Sequence, residues 1–160
     1  MKLKNMLLVL LFFTAMSLSY SQMLKEATHE YLPGVTLKPL IIRSERSTFK
    51  RGEYQVEYVA KKGFKFKSVT IDISNTTDKD VVLDFESFFL VDEQGNRYES
   101  TNVLQSGKLT NKTDKFQMPL KAGKTKRYSV GFWPAVPVEL KTFRLDVDGD
   151  IIDLEASEKK

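Results

Sequence analysis

Lys67-Ser-Val-Thr-Ile-Asp-Ile-Ser-Asn75 is the part of the chain that predicts its fold most directly. Within it, Val69, Ile71 and Ile73 alternate with small or polar residues. Successive side chains of a strand point to opposite faces, so the pattern predicts a strand with one buried and one solvated face. We therefore expect the three apolar side chains to lie at the centre of a core.

Changes of parity predict bends in this strand and in the next one. Phe64 and Phe66 precede the strand on the opposite parity, so a bulge or bend is expected near Lys67. In residues 81–92 the apolar parity also switches, which predicts a kink near Glu86-Ser87. A strand with such a kink is able to contribute to both sheets of a sandwich.

The remainder of the chain repeats short segments rich in Val, Ile, Phe, Tyr and Thr, separated by Gly, Asn, Asp and Lys. This rhythm predicts an all-β, immunoglobulin-like sandwich of seven or eight mostly antiparallel strands, which we favour over a barrel. Trp133-Pro-Ala-Val-Pro137 is expected to be a rigid loop. The predicted shared core comprises Val69, Ile71, Ile73, Phe88, Leu90, Val130, Phe132, Leu145 and Val147.

The first 21 residues have the layout of a secretory signal peptide. Lys2 and Lys4 precede an apolar stretch from Met6 to Met16, and small residues follow, which predicts cleavage between Ser21 and Gln22. The apolar run of about 11 residues is too short to span a bilayer, which needs about 20. We expect a periplasmic or secreted protein without stable membrane insertion.

The predicted domain organisation is a signal peptide at 1–21, an N-terminal arm at 22–34, one sandwich domain at 35–156 and a frayed tail at 157–160. The absence of cysteine excludes disulfides and a lipid-bearing cysteine. Removing Lys2 and Lys4 from the 25 basic residues leaves 23 against 21 acidic residues, a net charge of only +2. No arginine-rich segment or stacking-aromatic motif accompanies the lysines, so no nucleic-acid partner is expected.

Four segments occur in a distinctive order: a strand ending in Asn75, the hairpin Phe88 to Tyr98, the turn Pro119 to Lys124, and Val130-Gly-Phe132. Together they resemble the DUF4352 family of exported bacterial domains. The resemblance implies an immunoglobulin-like sandwich, similar to a mycobacterial immunoprotective secreted protein, without established catalytic residues. Many members look like lipoproteins, whereas this chain lacks the cysteine, and its leader resembles exports of the Bacteroidota.

Few residues are candidates for catalysis or metal binding. His29 is the only histidine and is expected to be solvated in the arm, so neither a Ser-His pair nor a tight zinc site is predicted. Asp84 and Glu86 share one face of a predicted strand, about 6.6 Å apart, a spacing compatible with glycoside hydrolysis. Acids alternating along a strand are more often its solvated face. No cofactor is expected.

Two surface features are candidates for binding. Trp133 is able to stack on a sugar or peptide, although packing is favoured because Phe132 and Trp133 have opposite parity. Lysines form a possible patch for anionic glycans or a membrane surface, although edge-strand protection explains them equally well. These lysines are Lys61, Lys62, Lys65, Lys67, Lys121, Lys124 and Lys126. Asn75 and Asn111 match the glycosylation sequon but are interpreted as turn residues.

The segment Asp146 to Glu155 superficially resembles a calcium loop. Counting from Asp146, the positions that an EF-hand reserves for glycine and glutamate hold Ile151 and Ser157. We favour a type I′ turn centred on Asp148-Gly149, with weak calcium binding as the alternative.

The function class that remains is an exported, non-enzymatic binding or interaction module. Its expected partner is a protein or glycan of the cell envelope, and the sequence assigns no binding residues. The alternatives are a glycan hydrolase using Asp84 and Glu86, and a calcium-stabilised adhesion module.

Overall fold

The computed structural model describes residues 20–53 and 56–157, so most of the predicted signal peptide and of the predicted frayed tail lies outside the described residues. The described residues form fourteen strands and two 3-10 turns, at Phe85–Ser87 and Thr113–Lys115. The strands are β1 (Tyr20–Met23), β2 (His29–Leu32), β3 (Val35–Glu45), β4 (Ser47–Phe49), β5 (Glu57–Val59), β6 (Phe64–Asn75), β7 (Val81–Asp84), β8 (Phe88–Asp92), β9 (Arg97–Gln105), β10 (Lys108–Thr110), β11 (Gln117–Leu120), β12 (Thr125–Pro137), β13 (Phe143–Val147) and β14 (Asp150–Asp153).

The main sheet has the order β1-β3-β6-β12-β9-β8-β13-β14, and all its pairs are antiparallel. Strand β9 divides this sheet into a first half, β1-β3-β6-β12-β9, and a second half, β9-β8-β13-β14. It belongs to both halves, since residues 97–99 pair with β8 and residues 99–105 pair with β12. Both halves contribute to one core, which includes Ile71 of β6 and Leu145 of β13, and Phe85 of the 3-10 turn packs into it 5.0 Å from the Tyr128 ring. The predicted all-β immunoglobulin-like sandwich is confirmed, with more strands than expected because bulges and turns divide the chain.

Strand β6 lies at the centre of the first half, between β3 and β12. Val69, Ile71 and Ile73 are fully buried, as their alternation predicts. All nine predicted core residues are between 0 and 1% exposed. The opposite face is less solvated than expected, because Ser68 and Thr70 are also buried.

The expected bulge near Lys67 is wrong, whereas the expected kink near Glu86 is confirmed. Strand β6 runs without interruption, and the irregularities lie in its partners, between Pro39 and Ile41 of β3 and between Phe132 and Val136 of β12. Phe66 is instead buried on the outer face, where it stacks on the ring of Trp133. The kink is the 3-10 turn Phe85–Ser87, which separates β7 from β8.

The expected loop at residues 133–137 is instead the last part of β12. The register shift between Phe132 and Val136 places Pro134 in a bulge, where its missing N–H is not needed for the sheet. The Trp133-Pro134 peptide bond is cis. Val136 then pairs again with Lys65 of β6.

The segment expected to be an arm, 22–34, contributes strands to the sandwich. Strand β2 pairs with β3, and Tyr31 contacts the Phe88 ring at 5.9 Å. Leu24 is buried and forms a bridge with Ala156, so the segment after β1 contacts the segment after β14. These contacts form because Leu24 and Tyr31 pack against the core.

A short hairpin of β4 and β5 forms what we call the β4–β5 arm, whose described residues are 47–53 and 56–59. Two asparagine side chains hold this arm on the outer face of the main sheet, namely Asn102 of β9 and Asn111, which follows β10. Asn102 Nδ2 donates to the carbonyl of Phe49 at 3.2 Å. Asn111 Nδ2 donates to the carbonyls of Lys50 and Glu53 at 3.0 and 2.9 Å.

Candidate functional site

A cavity of about 170 Å³ lies at the end of the sandwich where β3 and β12 end and β6 and β13 begin. Its position follows from antiparallel pairing, which places Ser44 of β3 opposite Lys67 of β6. Lys65 and Lys67 have the same parity as Val69 and therefore point to the core side of the sheet. Gln22 of β1 also lines the cavity.

Three lysines converge on this cavity, namely Lys65, Lys67 and Lys141. No aspartate or glutamate is among its described lining residues. In the described part of the chain, none of the three lysines forms an ion pair. The cavity therefore carries positive charge that the protein does not neutralise locally.

Lys67 is the most deeply placed of the three lysines. Its Nζ donates to Ser44 Oγ at 2.8 Å and lies 5.0 Å from the centroid of the Phe143 ring. Burial, followed by the charge of Lys141, lowers the pKa of Lys67 to about 8. Its ammonium group remains largely charged at neutral pH but is incompletely solvated.

The other wall of the cavity is apolar. Ile42, Leu140 and Phe143 are buried core residues, and Val138 is exposed at the rim. Positive charge over an apolar surface is the pattern of a small-molecule pocket, in which a few polar groups orient a ligand against hydrophobic walls. The sequence could have indicated this cavity only through the parity of Lys65 and Lys67, which they share with the core residue Val69. Lys141 is distant in sequence and reaches the cavity only in the folded protein.

The seven lysines singled out in the sequence do not form one patch. Strands β6 and β12 are antiparallel, so Thr125 lies opposite Ser74 while Phe132 lies opposite Lys67. Lys121, Lys124 and Lys126 therefore lie at the other end of the strand pair from Lys65 and Lys67, roughly 20 to 25 Å away by the strand rise.

Asp84 and Glu86 do not face each other along a strand, because the chain turns between them. Asp84 Oδ1 accepts a hydrogen bond from the Glu86 backbone N–H at 2.9 Å, which caps the 3-10 turn. Glu86 lies 3.7 Å from Arg51 in an ion pair. Neither carboxylate lines the lysine cavity or the open groove beside Arg43 and Arg127.

Trp133 packs between the main sheet and the β4–β5 arm. Phe66 stacks on it at 5.4 Å, and Tyr58 contacts it edge-on at 4.9 Å. Lys50 Nζ lies 5.6 Å from its centroid. These contacts agree with the packing interpretation, since Phe132 faces the core and Trp133 the opposite side.

The remaining sequence candidates have structural roles. Asn75 is buried, and its side chain binds Thr77 and the carbonyls of Lys79 and Leu120, which agrees with a turn residue. The Asn111 side chain donates hydrogen bonds to carbonyl groups of the β4–β5 arm. His29 is half-buried on β2 rather than solvated, because it lies opposite Leu37 in the sheet.

The Asp146 to Glu155 segment is a hairpin of β13 and β14. Val147 pairs with Asp150, and the intervening Asp148 and Gly149 have φ of 53° and 95°, as the predicted type I′ turn requires. A hairpin centred on this turn would place the acids of the segment in the turn or on the solvent face, but Asp146 is buried instead. It is 4% exposed, since Arg97 contacts its Oδ2 at 3.1 Å and the Gly149 N–H donates to its Oδ1.

Among the residues that the structure describes, no helix is both long and apolar enough to cross a membrane. The described residues also include no cluster of three or more His, Cys, Asp or Glu side chains arranged to hold a metal ion.

The fold and the cavity define the class of this protein, an immunoglobulin-like β-sandwich with a basic pocket at one end. The chain belongs to the family DUF4352, a domain of unknown function, whose sequence model matches residues 35–156. No curated protein matches it in sequence.

Two solved structures are similar in fold. An uncharacterised β-sandwich protein from Clostridium difficile has a TM-score of 0.52 and 13% identity, over 80% of this chain and 88% of its own. A conserved hypothetical protein from Bacillus anthracis has a TM-score of 0.57 and 16% identity, over 88% of this chain and 100% of its own. At these identities the similarity shows the fold alone.

Proposed function

We propose that this protein is an exported, non-enzymatic binding module that takes an anionic ligand into the lysine cavity. The observation that carries the proposal is the convergence of Lys65, Lys67 and Lys141 on one apolar-walled cavity whose described lining includes no carboxylate. A charge withdrawn from water is costly unless it is paired, so an anion entering the cavity gains most from the half-buried Lys67.

A panel of anions tests the proposal by thermal shift. A ligand that binds only the folded state raises its stability in proportion to the logarithm of ligand concentration over Kd. At least one anion should raise the Tm of the wild type and leave that of Lys67→Met unchanged. Lys124→Met is the matched control, because it removes a lysine from the opposite end of the same strand pair. Equal shifts in the wild type and Lys67→Met for every anion would contradict the proposal.

Export is supported by the signal peptide pattern, with cleavage between Ser21 and Gln22. Cleavage there would shorten β1 to Gln22 and Met23 and place the new N-terminus at the cavity, since Gln22 lines it. N-terminal sequencing of the protein recovered from a bacterial host should begin at Gln22. Recovery of an intact Met1 in the membrane fraction would contradict export by cleavage.

A further inference from the structure

We propose that the ligand of the lysine cavity is a small organic anion with one acidic head and one compact apolar body. The head lies against Lys67, and the body lies on Ile42, Leu140 and Phe143. This inference rests on the proposed binding function and adds the chemical class of the ligand.

The size of the cavity limits the apolar body. A dry protein cavity of about 150 Å³ is able to hold benzene. The lysine cavity measures about 170 Å³, so it accommodates one six-membered ring or a short aliphatic chain together with a carboxylate at the mouth. A folded polymer or a large glycan does not fit inside it.

The apolar wall determines the preference among anions. Burial of apolar surface contributes about 25 cal/mol per Å², and a fully hydrated inorganic ion obtains none of this contribution. Phe143 and Leu140 are core residues whose side chains also line the cavity, so they present a fixed apolar surface. An anion with an apolar body therefore gains from both walls, whereas phosphate or sulfate gains from one.

Lys67 and Ser44 fix the position of the acidic head. The Ser44 hydroxyl accepts a hydrogen bond from Lys67 Nζ at 2.8 Å, which leaves its own hydrogen free to donate to an anion. Lys67 also lies over the Phe143 ring, so a carboxylate on Lys67 places its attached body next to that ring. Lys65 and Lys141 add positive charge to the lining of the cavity, with Lys141 Nζ donating to the Val138 carbonyl at 2.7 Å.

The charge of Lys67 makes the binding dependent on pH. Lys67 contacts Ser44 from β3 and Phe143 from β13 and is affected by the charge of Lys141, and Gln22 from β1 and Lys65 from β6 line the same cavity. Because the pKa of Lys67 is lowered to about 8, its charge is lost earlier than that of an ordinary lysine. Affinity for the anion should decrease as the pH rises above about 8.

Benzoate is the probe that tests the inference, with calorimetry and thermal shift on the protein at pH 7. Benzamide has the same ring without the charge, acetate has the charge without the ring, and inorganic phosphate is a charged ion without an apolar body. Benzoate should bind more tightly than all three. Lys67→Met should weaken benzoate binding by about ten- to hundredfold, the range for a hydrogen bond to a charged group, while Lys124→Met should not.

The outcomes separate this inference from the proposed function. Acetate or phosphate binding as tightly as benzoate, and lost in Lys67→Met, would overturn the inference and leave the anion-binding function standing. If no anion distinguishes the wild type from Lys67→Met, both are overturned. Benzamide binding as tightly as benzoate would also overturn both, because the charge would then contribute nothing. Lys141→Gln provides a second variant if Lys67→Met fails to fold.

Discussion

At the scale of single residues, buried polar side chains hold the turns of this protein in place. Asp92 is fully buried at the end of β8 and accepts hydrogen bonds from the backbone N–H groups of Gln94 and Asn96. The Asn96 side chain and the Tyr98 hydroxyl donate to its second oxygen, at 2.9 and 2.8 Å. One hydrogen-bond network therefore joins Asp92 to Tyr98 across this hairpin.

Asp92 should contribute to stability at neutral pH and lose this contribution in acid. Burial acts to raise its pKa, but the hydrogen bonds from Asn96 and Tyr98 prevail and the pKa is lowered. Its contribution is therefore complete above the unfolded-state pKa, about 4, and disappears as the pH falls through the lower folded-state value. Asp92→Asn should cost about 1.5 to 3 kcal/mol at pH 7. Urea unfolding at pH 7 and pH 3 measures both effects, and equal stability of the two proteins at pH 7 would contradict the role of the carboxylate.

Gly131 should be required for the docking of the β4–β5 arm. A Cβ atom at this position would lie 2.7 Å from both side-chain polar atoms of Asn102, the residue that binds the arm. Gly131→Ala should destabilise the protein by about 1 to 3 kcal/mol, as overpacking does, and expose Trp133 under the arm. Urea unfolding and tryptophan fluorescence measure these two effects. Ser129→Ala, on the same face of β12 but beside an open groove, is the control and should change stability by less than about 0.5 kcal/mol.

At the scale of elements, the β13–β14 hairpin depends on a backbone conformation that most residues resist. Gly149 has φ of 95°, so Gly149→Val should destabilise the protein by about 1 to 3 kcal/mol, whereas Gly149→Asn should be better tolerated. Thermal unfolding measures both variants. Calcium should leave the wild-type Tm unchanged. A calcium-dependent rise of several degrees that Asp148→Ala abolishes would show instead that the turn is a metal site.

Alternation in the sequence predicts which strand residues are covered but not what covers them. Alternation correctly placed Ile71 in the core, and the Asp-Gly dipeptide correctly predicted the turn at Asp148-Gly149, since both depend on local geometry. Alternation misplaced the bend at Lys67, because Phe66 is buried on the outer face by Trp133 and the β4–β5 arm. Local parity contains no information about an arm that arrives from another part of the chain.

At the scale of the whole molecule, the lysine cavity was not predictable because segments distant in sequence form it. Gln22, Ser44, Lys67 and Lys141 come from four separate segments that meet only in the folded sheet. From the sequence, Lys67 was grouped with Lys121, Lys124 and Lys126. In the structure these three lysines lie at the opposite end of the β6–β12 strand pair, because the two strands are antiparallel. The strands were predictable, but the side chains that meet at their ends were not.

Lys67 should make the folded protein less stable at neutral pH than a variant without its charge. Its folded-state pKa of about 8 lies below the ordinary value of 10.5, so the unfolded state binds more protons between these values and stability rises with pH there. Below about pH 8 both states are protonated and the full penalty applies. Lys67→Met should therefore raise the Tm at pH 7, with a smaller advantage at pH 10.5. Identical pH profiles for the two proteins would contradict this account.

The attachment of the β4–β5 arm also has a consequence for evolution. Asn102 and Asn111 bind carbonyl groups of the arm, at Phe49, Lys50 and Glu53, and a carbonyl is present whatever the side chain. Of the arm side chains, Thr48 also accepts a hydrogen bond from Asn102 Nδ2 at 2.7 Å and Tyr58 contacts the Trp133 ring, so mutation is freer to alter the arm side chains that lack such contacts. Among members of the family, arm positions without such contacts should diverge in sequence, while the two asparagines that hold the arm are retained.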